Sequence, residues 1–265
     1  MRIPFTQVDA FADQPFAGNP AAVMPLSRWL DDETLQRIAQ ENNLSETAFL
    51  VAAEDDGADF DLRWFTPGGE VALCGHATLA SGHVVLSSGI GQERVRFRTR
   101  RSGMLEVARQ DSIYRMSLPA WVPTPRPLPG LVSALRVEGV LDTQWVDTGY
   151  ALVVVDDENS VRDCDPDLRA MAEEGDLVVI VAARGAETDI VSRVFVPAFG
   201  IDEDPVTGSA HAVMVPYFAE KLGRDRMTAY QASARGGRLG CTLEEDRVIL
   251  TGSCVTVIEG TFLLP

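Results

Sequence analysis

The chain has 265 residues, 46% of them hydrophobic, and a formal net charge of −16. That length suits one large domain or two modest ones with a proper core, and the acidic balance disfavours nucleic acid and other polyanions. No run approaches the roughly 18 apolar residues of a membrane span, and the four cysteines, Cys74, Cys164, Cys241 and Cys254, form no CxxC pair for structural zinc.

The N-terminal MRIPFTQVDAF alternates like a strand and lacks a signal-peptide core. With scattered thiols suited to a reducing compartment, this places the expected location in the cytoplasm. Pro20–Leu26 reads as a short apolar strand. Asp31–Glu41 follows as a helix, with Leu35, Ile38 and Ala39 at helical spacing behind an acidic first turn. Thr47–Ala52 is again strand-like. Ala77–Leu86 is a helix apolar around most of its circumference, so it is expected to be buried. Arg94 to Arg101 is basic but alternates like a strand. Leu118–Pro129 (LPAWVPTPRPLP) is too rich in proline for a central strand or helix. It is read as the start of a second lobe, dividing the chain into 1–117 and 118–265.

The second lobe repeats the order. A strand at Ala151–Val155 leads to a helix opening at Asp165-Pro166, with Leu168, Met171 and Ala172 inward; Pro is favoured at a helix start. A strand at Leu177–Ala182 and a second apolar helix, Ala210–Leu222, follow. Val255–Leu264 closes the chain as a strand able to join the first lobe. The repeat is visible residue by residue. Val51–Pro67 and Val181–Pro197, 130 positions apart, share Val, Ala, Ala, Asp, Arg, Phe and Pro. After the two apolar helices, Arg101–Leu105 corresponds to Arg235–Leu239. On this alignment Glu46 has Asp176 as its counterpart. The expected architecture is α+β: two pseudo-symmetric lobes, each a curled mixed sheet around a central helix.

Each repeat ends in a small-residue turn before its apolar helix, Cys74-Gly75-His76 in the first and Thr207-Gly208-Ser209 in the second. A helix start offers unpaired N–H donors and partial positive charge, and glycine lets an anion approach. One cleft lined by both turns would hold a carboxylate. Glu46 stands where an apolar strand begins, where partial desolvation suits a proton shuttle; taken alone, it reads rather as an exposed strand-start carboxylate. Asp204 lies five residues before Ser209, across a proline. His76 could orient an acid, and Cys74 at a helix N-terminus would be acidified enough to act as a base. His83 and His211 sit inside apolar helices as structural residues. Three histidines without HxH or HExxH spacing point to no metal site.

Five segments taken in order, Gly18-Asn19-Pro20, Asn43–Phe49, Arg63–Pro67, Cys74–Ala80 and Asp204–Ala210, closely resemble the phenazine-biosynthesis PhzF-like family over essentially the whole chain. The resemblance implies the diaminopimelate-epimerase fold and a metal-free, cofactor-free isomerase, commonly a homodimer. It implies that Glu46 shuttles a proton, that His76 and Asp204 assist, and that Gly75, Gly208 and Ser209 hold the carboxylate of a small-molecule substrate. Asn19 would line the same pocket. Epimerases of this fold use a cysteine at each central helix start. Cys74 occupies one such position, but the opposing one holds Val206, so a symmetric two-thiol mechanism is not expected. Two other readings keep the fold: a one-thiol epimerase or lyase based on Cys74, and a metabolite-binding protein without turnover.

Overall fold

The computed structural model describes residues 1–88 and 93–264. In chain order the elements are β1 (Arg2–Ala10), β2 (Asn19–Leu26), α1 (Asp32–Asn42), β3 (Glu46–Ala52), β4 (Phe60–Thr66), β5 (Gly69–Val71), α2 (Gly75–Ser87), β6 (Arg94–Thr99), β7 (Met104–Gln110) and β8 (Ile113–Pro119). They continue with β9 (Thr124–Pro125), α3 (Pro129–Leu135), β10 (Val140–Val146), β11 (Tyr150–Val155), α4 (Glu158–Arg162), α5 (Leu168–Glu173), β12 (Val178–Arg184), β13 (Ile190–Val196), β14 (Ile201–Asp204), α6 (Gly208–Leu222), β15 (Arg226–Gln231), β16 (Gly237–Glu244), β17 (Arg247–Gly252) and β18 (Cys254–Leu263). The chain forms two compact units. One comprises Met1–Ser117 together with Thr251–Pro265, and the other Leu118–Leu250.

In the first unit β1 pairs antiparallel with both β18 and β2, β2 and β3 are parallel, and β3 and β4 form an antiparallel pair. Strand β4 then pairs antiparallel with β5 and parallel with β6, which continues antiparallel through β7 to β8. This sheet surrounds α2, which packs on β1, β2, β3, β6, β7 and β18. The helix is buried along almost its whole length, as its uniformly apolar sequence requires. Helix α1 covers the other face, burying Leu35, Ile38 and Ala39 with Met24, Phe49 and Phe65. Asp31 caps it, accepting the Thr34 N–H at 2.8 Å.

The second unit repeats the pairing rule. Strands β11 and β12 are parallel, β12 and β13 antiparallel, β13 pairs antiparallel with β14 and parallel with β15, and β15 with β16 antiparallel. The buried helix is α6, whose internal Pro216 lacks the N–H that would bond Ala212. The Trp121 N–H from the proline-rich segment takes the freed Ala212 carbonyl at 3.0 Å. The outer face carries α3, α4 and α5 over Val153, Val181, Val191 and Phe195. The helix expected to open at Asp165-Pro166 opens at Leu168 instead, because Asp167 is its cap and accepts the Ala170 N–H. The extra residues of the second turn region form a 3-10 turn at Pro197–Phe199 and strand β14.

Strand register corrects one correspondence. Phe65 pairs with Thr47 and Phe195 with Val179. Thr47 and Val179 are therefore equivalent, and the residue matching Glu46 is Val178. Asp176 lies outside the strand altogether. Strands β4 and β13 do match at 130 positions, but the loop between β12 and β13 is two residues shorter than its counterpart. An even displacement keeps each side chain on its face, so the Val-Ala-Ala match survives as an apolar pattern while shifting the partner of Glu46.

The approach of α2 to its sheet depends on a missing side chain. A Cβ at Gly82 would sit 2.4 Å from Val107 Cγ1 on β7. Gly82→Ala is expected to lower stability by about 1–3 kcal/mol through overpacking, and Val107→Ala in the same chain to recover much of that. Urea unfolding of the two single variants and the double variant measures both.

Candidate active site

Two part-buried ion pairs set the approach to the helix starts. Arg63 on β4 forks onto Glu70 on β5, with Nε–Oε1 2.7 Å and Nη2–Oε2 2.8 Å. Arg193 on β13 forks onto Glu203 on β14 at 2.8 and 2.9 Å. Each guanidinium also lies over a phenylalanine two residues along its own strand, Phe65 at 4.9 Å and Phe195 at 5.0 Å. The shared Arg and Phe of the repeat are therefore one packing unit used twice. The Arg63 guanidinium beside Glu70 holds that carboxyl below its ordinary range.

Past Glu70 the chain enters α2 at Gly75, with Cys74 as N-cap. Cys74 makes no side-chain capping bond, so the first-turn amides are not satisfied by it. His76, 3% exposed, follows in the first turn. Its Nε2 lies 3.0 Å from Oε2 of Glu46, the first residue of β3, and its Nδ1 lies 3.1 Å from Asn19 Nδ2 at the start of β2. Asn19 is completely buried. The structure thus brings together Asn19, Glu46, Gly75 and His76 from three elements of the first unit. Glu46 keeps a side-chain exposure of 15%, while the Oε2 that faces His76 is itself buried.

The Cys74 sulfur is 3.5 Å from His76 Nδ1 and 4.0 Å from Nε2. Near-equal distances to the two ring nitrogens place it beside the ring and off both lone pairs. Burial pushes the Cys74 thiol up to about 11, with the Glu46 carboxylate adding to the shift and His76 opposing it. The expected acidification by the helix end is therefore overridden, and Cys74 is a thiol at neutral pH. For His76, burial works against the charged ring, while the Cys74 sulfur and the Glu46 carboxylate work for it. The balance holds it well above the ordinary imidazole value.

Spacing along the sequence did not suggest that Glu46, Cys74 and His76 converge, yet their ligand atoms lie within 4.8 Å of one another. Carboxylate, thiolate and imidazole are donors that zinc accepts.

In the second unit Asp204 ends β14, and Gly208 and Ser209 open α6 behind the N-cap Thr207. Thr207 Oγ1 donates to Asp204 Oδ2 at 2.5 Å. Gln231 on β15, fully buried, holds this turn: its Nε2 donates to the Asp204 carbonyl at 2.7 Å, and its Oε1 accepts the Thr207 N–H at 2.8 Å. Sequence reading missed Gln231, since one glutamine in an alternating strand carries no local signal. His211 and Thr78 occupy the fourth position of their helices, and both bond the N-cap carbonyl, His211 through Nδ1 at 2.8 Å and Thr78 through Oγ1 at 2.5 Å. His83 joins α2 to Tyr114 and Thr256, at 2.9 and 2.8 Å. Both histidines act structurally in these contacts.

No helix among the described residues is long and apolar enough to cross a membrane. Residues 8–260 match the family described as phenazine biosynthesis-like protein, PhzC-PhzF. The chain is 47% identical to an uncharacterized isomerase of Pseudomonas aeruginosa, with both chains covered in full. A PhzF-family crystal structure from Enterococcus faecalis superposes with a TM-score of 0.92 at 41% identity, again over both chains entirely. A hydroxyproline epimerase from Agrobacterium vitis shares the fold at 12% identity, with a TM-score of 0.68 over 98% of this chain and 92% of that one. The architecture is thus the α+β, epimerase-like fold.

Burial pushes His211 down to about 4, with only the bond to the Thr207 carbonyl resisting. Folding therefore favours its neutral form. The stability this contributes is complete above about pH 6.5 and is lost as pH falls towards 4, a change of about 3 kcal/mol. His211→Gln is expected to flatten the acid limb of the stability curve by roughly that amount, measured by denaturant titration at several pH values.

Proposed function

Because this chain belongs to the phenazine biosynthesis-like (PhzC-PhzF) family, we propose that it is an isomerase that moves a proton within a small carboxylate substrate, with Glu46 as the single shuttle. Glu46 as carboxylate takes a proton from a carbon next to an unsaturated bond. The C–H electron pair becomes part of a shifted double bond. The same carboxyl returns the proton to a second carbon, so substrate and product are isomers and no co-reactant is consumed. A well-placed general base contributes on the order of 10²–10⁴ in rate.

His76 directs its Nε2 side at Glu46 and steadies the carboxylate between transfers. The first-turn amides at Gly75 are assigned the substrate's carboxylate, in keeping with the anion affinity of helix starts. The observation that carries this reading is the Glu46–His76 pair at 3.0 Å beside the start of α2, in a chain whose relatives are named isomerases. The thiol character of Cys74 weighs against the one-thiol alternative.

The protein is incubated with a pool of small carboxylates in D2O, and deuterium uptake and isomer formation are followed by mass spectrometry. Glu46→Gln is expected to lose at least about 10²-fold in exchange rate while still retaining the same compound from the pool. Cys74→Ser is expected to keep most of the activity. Normal exchange by Glu46→Gln, or its loss in Cys74→Ser alone, would transfer the chemistry to the thiol.

A further inference from the structure

Asn19 has no solvent-exposed surface, which makes it a poor candidate for direct substrate contact. Its amide instead meets Nδ1 of His76 at 3.1 Å, on the side of the ring away from Glu46. The backbone leading to it is fixed. Gly18 has φ +66°, and a Cβ there would sit 2.2 Å from the Ala10 carbonyl oxygen, so only glycine turns the chain this way. Asn19 is then locked in register opposite Ala10 on β1.

A carboxamide nitrogen only donates, and a carboxamide oxygen only accepts. With Asn19 Nδ2 facing it, Nδ1 must be the acceptor, and the one ring proton of the neutral imidazole then sits on Nε2, the nitrogen that lies 3.0 Å from Glu46 Oε2. An imidazolium carries protons on both nitrogens, and that state is matched when the amide turns over and presents its oxygen. The charged or titratable groups facing the ring are Glu46 from β3, at Nε2, and Cys74 from the cap of α2, off both lone pairs.

We infer that Asn19 is the positioning residue of His76, a neutral two-way partner that keeps the Nε2 proton directed at Glu46 whether the ring is charged or not. A carboxylate at this place would do otherwise. It would pull the ring proton to Nδ1 and leave Nε2 of a neutral ring without a proton for Glu46. The role in catalysis rests on the proposed Glu46 shuttle, but the Asn19–His76 coupling does not.

The chain has only three histidines, so the His76 ring can be followed by NMR with ¹⁵N-labelled histidine across a pH titration, without any substrate. In the unaltered protein the neutral ring is expected to show an acceptor-type Nδ1 and a protonated Nε2. Asn19→Asp is expected to raise the His76 midpoint by about 1–3 pH units and to move the proton of the neutral ring to Nδ1. Asn19→Leu, which buries no new charge, is expected to lose the acceptor-type Nδ1 signal. An unchanged His76 titration and unchanged nitrogen shifts in either folded variant would overturn the inference. Failure of the Glu46 reading shows separately, as normal deuterium exchange by Glu46→Gln, and leaves the ring spectra untouched.

Discussion

The bidentate contact between an arginine and a glutamate, made once in each unit, is the constraint on which the rest depends. Arg63–Glu70 and Arg193–Glu203 each join a long sheet strand to the short strand that precedes a helix start. Planar two-point pairing fixes angle as well as distance, and the ring beneath each guanidinium removes the remaining freedom to tilt. A short strand held by a single pairing would fray. Held by a fork, it delivers the chain to Gly75 or Gly208 at a set position. The helix that follows is apolar on all sides and packs accordingly, so an error at its first turn could not be absorbed by sliding along the core.

On this common frame the two units have diverged at equivalent places. Glu46 corresponds to Val178 by strand register. Cys74, Gly75 and His76 correspond to Thr207, Gly208 and Ser209 by helix start. The first unit therefore concentrates groups that exchange protons. The second retains the turn but fills it with a hydroxyl network closed by Gln231 and Asp204. Thr78 and His211 show a conserved task met by different chemistry, since both tie the N-cap carbonyl from the fourth helical position.

Much of this was legible in the sequence because it is local and periodic. The two buried helices follow from their unbroken apolar composition, α1 from its spacing and its acidic first turn, and the repeat from a run of identities. What was not legible depends on long-range pairing. Assigning Asp176 to Glu46 followed residue identity, whereas the loop between β12 and β13 is two residues shorter, and only the ladder reveals it. The acidity of Cys74 was read from its place at a helix end, but burial beside a carboxylate is the larger effect and acts in the opposite direction. Gln231 and the two forks join residues on different strands. The matched Arg and Phe were in view, but their glutamate partners lie at unequal distances along the chain.

A buried carboxylate–imidazole pair is a poor way to gain stability, because desolvation of both groups offsets their attraction. An apolar pair would fill the space between β3 and α2 at less cost. The fold nevertheless places Glu46 and His76 together, leaves the carboxylate part-exposed, and backs the ring with an amide rather than a second acid. A second acid would fix the imidazolium permanently, and an aliphatic side chain would leave Nδ1 buried without a partner. The amide alone tolerates both charge states of the ring, which is the property required of a site whose carboxyl must alternately hold and release a proton.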